Sequence, residues 1–275
     1  LAQILDEMNP DIVHLHCDSP AGLLNLNLIR EETAIVYSEH GDTITRKKNQ
    51  IVADRVWSVA GERIQLILCN SNNSRDDLIA KYPFLTERSR VQPLCLDHLP
   101  DASGTRPDPP IFGFVGRLAR VKRCDRLIEA VRIIHQTHPQ ISFIVYGDGD
   151  ERQALEEMTE KYRLQNVIQF AGFTDDPFSA MAGLTALIVP SENETFGLVA
   201  IEAQAVGTPV IAYDQTGIPE VIDQNKTGLI VRQGDINSLA QAIILLYENP
   251  AKVEEFSANA RQKVESEFVP KVHVN

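Results

Sequence analysis

From residue 111 to residue 249, short apolar runs alternate with longer amphipathic stretches almost without a break. IFGFVGR, SFIVYGDG, VIQFAGF, ALIVPS and PVIAYD have the length and composition of buried strands. DRLIEAVRIIHQTH, ERQALEEMTEKYR, PFSAMAG, LVAIEAQAVG and INSLAQAIILLYENP fall between or after them with helical spacing. Strands that are apolar on both faces need cover on both faces, so this alternation predicts a parallel sheet wrapped by helices. The first hundred residues show the same pattern more loosely, with strands at DIVHLH, AIVYSEH and LILCNS and helices between them. A further helix is expected at SRDDLIAKY, with Ser74 as its cap and Asp77 reaching back. Periodicity stops in HLPDASGTRPDPP, which reads as a linker. The expected fold class is α/β, two doubly wound units in tandem: residues 1–100, a linker over 101–109, and residues 110–275.

With 43% hydrophobic and 23% charged residues in 275, the chain is an ordinary globular one. Its formal net charge of −12 argues against a broad nucleic-acid surface, while leaving room for a local anion site. Cys17, Cys69, Cys95 and Cys124 are far apart and form no C-x-x-C pair, which fits reduced thiols in a cytoplasmic protein. No apolar run approaches the ~20 residues of a membrane span. LAQILDEMNP is amphipathic, acidic and begins without methionine, so the chain is expected to be a fragment starting inside a domain. TRKKNQ offers a possible peripheral contact with anionic lipid on the inner face of a membrane, a solvated loop being the simpler alternative.

In doubly wound sheets ligands sit beyond the carboxyl ends of the strands, so the strand-to-helix loops are where chemistry is sought. ETFGLVAIE, residues 194–202, runs from one such loop into the helix that follows it. The turn leaves the N–H groups of Phe196, Gly197 and Leu198 at the positive end of a helix dipole, a place suited to a phosphate or a sugar hydroxyl. Glu194 precedes the helix and Glu202 lies more than a turn inside it. Their carboxylates can therefore accept hydrogen bonds from different parts of one elongated ligand. The bland alternative makes Glu194 a first-turn acid and Glu202 a solvated helix residue. GFVGRLARVKRCDRL is a second strand-to-helix loop, with Gly116, Arg117 and Lys122 ahead of its helix. Arginine as a planar fork and lysine as a point charge can converge on a diphosphate, a solvated basic loop being the alternative. His14 and His16 share one face of a strand but lack a third metal ligand. Asp148 and Asp150 in GDGDE sit in a glycine-rich turn and read as turn chemistry, so no metal is expected.

VGRLARVKRCDRLIEA, VYGDGDERQALE, FAGF, PSENETFGLVAIEAQAVGTPVIA and GIPEVI…TGLIV follow one another as in retaining glycosyltransferases of the GT-B fold, the glycosyltransferase family 4 type. The chain resembles that family over nearly all of residues 110–250, and more loosely in NPDIVHLHCDSPAGLL and VYSEHG. The resemblance implies a GT-B fold of two Rossmann-like domains, the first incomplete because strands and a glycine-rich loop usual in the family are missing. It implies metal-independent transfer of a sugar from a nucleotide-diphosphate donor to an acceptor hydroxyl, with retention and no cofactor. Gly116, Arg117, Lys122, Glu194, Phe196, Gly197, Leu198 and Glu202 would bind the donor. Arg117 and Lys122 would hold the diphosphate, Glu194 the sugar hydroxyls and Glu202 the ribose. Catalysis would fall to Glu194, Arg117, Lys122 and His40. The acceptor would be a glycan, a lipid or a small molecule, and no nucleic acid is implied. The chain departs from the family in QPLCLDHLP, without the usual asparagine-glycine, and at Thr216, in place of a glycine.

Three alternatives compete. A nucleotide-sugar 2-epimerase shares the fold but not the ETFGLVAIE turn or the GRLARVK loop. A donor-binding pseudoenzyme or fragment would bind without transferring. A nicotinamide-binding enzyme would need a G-x-G-x-x-G after the first strand of a unit, and none is present.

Overall fold

The computed structural model describes residues 2–17, 26–39, 54, 57–100, 107–215 and 217–270, which form two compact units, Leu1–Pro93 and Leu94–Asn275. The first contains helix α1 (Ala2–Met8) and strands β1 (Ile12–Cys17), β2 (Ala34–Glu39) and β3 (Leu66–Cys69). Helix α2 (Asn72–Lys81) and strand β4 (Ser89–Val91) complete it. The strands pair in parallel in the order β1-β2-β3-β4. Ile35, Tyr37 and Ile67 bury their side chains against Trp57, Leu78 and Leu85. Ser74 does not cap α2: Ser71, extended at the end of β3, accepts from the Ser74 amide at 3.0 Å. The SNNS run offers two serines, and the one still in strand conformation takes the role because a cap residue must be non-helical.

The second unit carries β5 (Ile111–Val115), α3 (Cys124–Ile134), β6 (Ser142–Tyr146), α4 (Arg152–Lys161), β7 (Ile168–Gly172) and α5 (Pro177–Ala182). It continues with β8 (Ala186–Val189), α6 (Leu198–Ala205), β9 (Val210–Tyr213), α7 (Ile218–Val221), β10 (Gly228–Val231), α8 (Ile236–Glu248) and α9 (Pro250–Glu267). All six strands are parallel, in the order β10-β9-β8-β5-β6-β7. β8 (ALIV) and β9 (VIAY) are buried at every residue, as central strands covered on both faces must be. One face packs on α3, α4 and α8 through Leu127, Val131, Leu155 and Ile243. The other packs on α5, α6 and α7 through Met181, Ile201 and Val221. Chain direction across the sheet reverses beside β5, whose neighbours are β6 on one side and β8 on the other. That switch point is where a crevice opens in such folds.

Two features were not expected from sequence. Leu94 and Leu96 pack in the second unit, where the Leu96 amide donates to the Phe268 carbonyl at 2.9 Å. Helix α9 adds a final layer, its buried side Val253, Phe256, Ala260 and Val264 set in a largely polar sequence.

Candidate functional site

The loops at the carboxyl edge of the second sheet are laced backbone to backbone. The Gly116 amide donates to the Tyr146 carbonyl at 3.0 Å, Leu118 to Asp148 at 2.9 Å, and Gly147 to Gly172 at 2.7 Å. Such proximity leaves no room for side chains: a Cβ on Gly147 would stand 1.9 Å from the Gly116 carbonyl oxygen, and φ there is +134. The glycines of GDG are thus required by the neighbouring GRL loop, not only by their own turn. Gly147→Ala is expected to destabilise this unit by about 3 kcal/mol, lowering Tm by about 6–12 °C in a calorimetric scan.

These loops enclose a cavity of about 690 Å³ at the switch point, within the range of small-molecule sites. Its walls are largely apolar, with Phe114, Val115, Ile188, Val189 and Met181 among them. Of the residues singled out from sequence, Gly116, Arg117, Lys122 and Glu202 line it. The Arg117 side chain is exposed and makes no hydrogen bond or ion pair with a described residue. Burial raises the Glu202 carboxyl above its ordinary value of 4.5. In the folded state Glu202 therefore binds protons more tightly than in the unfolded chain, so its contribution to stability falls as pH rises through that region. Glu202→Gln is expected to raise Tm at pH 7, with the gain shrinking as pH falls towards about 4.5 and gone below it. Thermal scans between pH 4 and 8 would measure it.

Glu194, Phe196, Gly197 and Leu198 do not line the cavity, but the turn they form abuts it. Lys122 Nζ donates to Glu194 Oε2 at 2.8 Å, with side-chain exposures of 28% and 13%. The cation and the carboxylate that sequence assigned to separate parts of a ligand are thus joined to each other. Gly197 caps α6 at φ +96, where a left-handed backbone favours glycine. The N–H groups of Phe196, Gly197 and Leu198 donate to no described residue. The Phe196 side chain is 3% exposed and packs edge-on against Phe268, so only its backbone can serve a ligand. The turn is held from behind by Gly217, whose amide donates to the Glu194 carbonyl at 3.0 Å and where a Cβ would meet the Phe196 Cα at 2.4 Å.

Sequence reading missed other parts of the site. Phe173, Thr174, Asp175 and Pro177 form one rim, and Phe173 is 75% exposed there. Asp148, read from the sequence as turn chemistry, does accept from the Gly149 amide within its turn, and it also accepts from Arg152 and lines the cavity. Arg123, just past Lys122, adopts φ 51 and ψ 42, a left-handed conformation costing about 1 kcal/mol in a non-glycine residue. Its guanidinium makes a fork to Asp125 (2.9 and 2.8 Å) and reaches Glu192 at 3.7 Å. The Asp125 hydrogen bond, chiefly, holds Arg123 above the usual arginine range.

His40, residues 45–50 and Thr216 lie outside the described residues. In the first unit, Glu39 is 1% exposed and accepts from the Tyr37 hydroxyl at 3.1 Å. Burial, reinforced by Glu39, pushes the nearby Cys69 thiol up to about 12, the environment of an inert thiol. The His14 and His16 rings stand 4.0 Å apart, and His14 Nε2 hydrogen-bonds Ser38 Oγ at 2.8 Å. Among the described residues no group of three or more histidine, cysteine or acidic side chains is placed to hold a metal ion. None of their helices is long and apolar enough to cross a membrane.

Comparison with known proteins identifies the family. The model of the Glycosyl transferases group 1 family matches residues 97–263, and that of Glycosyltransferase Family 4 matches residues 1–98. The chain belongs to the group 1 glycosyl transferases. It is 29% identical over 191 residues to the glycogen synthase of Mycobacterium tuberculosis (strain CDC 1551 / Oshkosh), covering 69% of this chain and 42% of that one. It is 26% identical over 286 residues to the N-acetyl-alpha-D-glucosaminyl L-malate synthase of Bacillus anthracis, covering 98% of this chain and 73% of that one. Against solved structures, Anabaena HepE in complex with UDP and glucose superposes with a TM-score of 0.81 at 22% identity, over 98% of this chain and 77% of that one. The pneumococcal O-GlcNAc transferase GtfA in complex with UDP and GlcNAc gives 0.82 at 19% identity, over 98% and 56%. These likenesses identify the fold class as GT-B. The chain spans less than half the length of the glycogen synthase it matches.

Proposed function

We propose that the cavity of the second unit holds a nucleotide-diphosphate sugar. The protein would transfer that sugar to an acceptor hydroxyl with retention of anomeric configuration, without a metal. The observation that carries this reading is the placement of Arg117 and Lys122 on the wall of an apolar cavity that also presents the half-buried Glu202 carboxylate. Two cations and the free N–H groups of the 196–198 turn suit a diphosphate. Glu202, with no charged partner among the described residues, suits a pair of ribose hydroxyls. As the bond from the anomeric carbon to the phosphate oxygen breaks, negative charge grows on the departing diphosphate. Arg117 and Lys122, already in place, stabilise that charge. Glu194 exchanges Lys122 for the donor sugar's hydroxyls and orients the ring; a catalytic part for His40 rests on the family resemblance alone. HepE and GtfA were crystallised with UDP, which makes UDP-sugars the first donors to test. The acceptor is a glycan, a lipid or a small molecule. The protein works in the cytoplasm, and the basic sequence TRKKNQ, residues 45–50, is the candidate for peripheral contact with a membrane.

The test is to incubate the protein with UDP-glucose and UDP-N-acetylglucosamine in EDTA and follow the anomeric protons by NMR. An α-configured product appearing first supports retention without metal. A β-configured first product would exclude retention, and no consumption of either donor would exclude UDP-glucose and UDP-N-acetylglucosamine as substrates for donor hydrolysis.

A further inference from the structure

Arg123 occupies a backbone conformation that favours glycine, at the pivot where the 3-10 turn Arg120–Lys122 reverses into α3. A side chain held in that region must be fixed by its contacts. Its contacts join two loops. One arm of the guanidinium grips Asp125 on α3, and the other reaches Glu192 in the loop that carries Glu194. The same seam continues through the backbone: the Glu192 amide donates to the Val121 carbonyl at 2.9 Å. From the far side, Gln233 Nε2 donates to the Glu192 carbonyl at 3.2 Å. The chain immediately before Lys122 is thereby tied to the chain two residues before Glu194.

We propose that Arg123 is a positioning residue for the donor site, bracing the Lys122 loop against the Glu194 loop. It thereby sets the spacing between the cation that meets the diphosphate and the carboxylate that meets the sugar. This rests on the donor-site reading above. Arg123 touches no donor atom in this scheme; its own charge is taken up by Asp125 and Glu192. Its effect is on geometry, and small misplacements of such groups cost rate steeply.

The experiment compares the wild-type protein with Arg123→Gly, Glu192→Gln and the double variant. Glycine relieves the left-handed backbone, which offsets the freer unfolded chain and the lost ion pairs, so Arg123→Gly stays folded with a Tm near that of the wild type. Its Glu192 amide, measured by hydrogen exchange without nucleotide, exchanges about tenfold faster. UDP binds about fivefold more weakly, and kcat falls by about tenfold while KM for the donor rises less. Glu192→Gln, which leaves the backbone bonds intact, shifts the same quantities in the same direction. The double variant loses no more than the worse single one, the signature of a shared contact. Unchanged Glu192 exchange in Arg123→Gly, or additive losses in the double variant, would overturn the brace. Absence of nucleoside-diphosphate binding in the wild type would overturn the donor-site reading instead, and the exchange comparison still decides the brace.

Discussion

Glu194→Gln is expected to lower sugar transfer by about 10²-fold or more, the scale of losing one preorganised contact to the reacting group. Its effect on stability should be small. Glutamine is nearly isosteric and can still accept from Lys122 Nζ, which now lies 2.8 Å from the Glu194 carboxylate. What disappears is a negative charge able to draw in sugar hydroxyls. The same change should leave UDP binding intact or tighten it, because Lys122 is no longer neutralised by a carboxylate that competes with the phosphates. A collapse of the turn would instead weaken UDP binding and transfer together. Calorimetric Kd values for UDP beside initial transfer rates separate the two outcomes.

Lys122→Ala is expected to act in the opposite sense on binding. The loss of a hydrogen bond to a charged group, about 1.5–3 kcal/mol, corresponds to about 10- to 150-fold in UDP affinity. The true loss should lie towards the upper end, since the Glu194 carboxylate would remain beside the phosphates with its cation removed. Adding Glu194→Gln to Lys122→Ala should then recover part of the affinity, a coupling that neither single substitution reveals. Strict additivity would show that the ion pair is not part of the diphosphate site.

The layout of the second unit was legible because its strands are short, wholly apolar and separated by amphipathic helices. β8 and β9 are too short for buried helices and too apolar for loops. The same clarity made GRLARVK and ETFGLVAIE readable as loops at the ligand edge. The Lys122–Glu194 ion pair was not legible: its members are 72 residues apart, and nothing local in either loop points to the other. The roles of Gly147 and Gly217 were hidden for a similar reason. Each glycine is required by another loop's backbone, so its own turn accounts for only part of it. Arg123 left no sequence signal, since a left-handed arginine looks like any other basic residue beside a lysine. Helix α9 could have been found from Val253, Phe256, Ala260 and Val264, but four small or scattered apolar residues among eighteen are a faint stripe. The boundary between the units is blurred in the sequence, where periodicity persists up to His98 although Leu94 and Leu96 already pack in the second core.

The central claim is that the cavity bounded by Gly116, Arg117, Lys122 and Glu202 is a nucleotide-diphosphate donor site. It is tested most directly by calorimetric titration of the protein with UDP, GDP and ADP, repeated on Arg117→Ala. Saturable binding of one nucleotide is expected, UDP first among them, together with its loss in the variant. A folded protein that binds none of the three, or binds one equally well without Arg117, would contradict it.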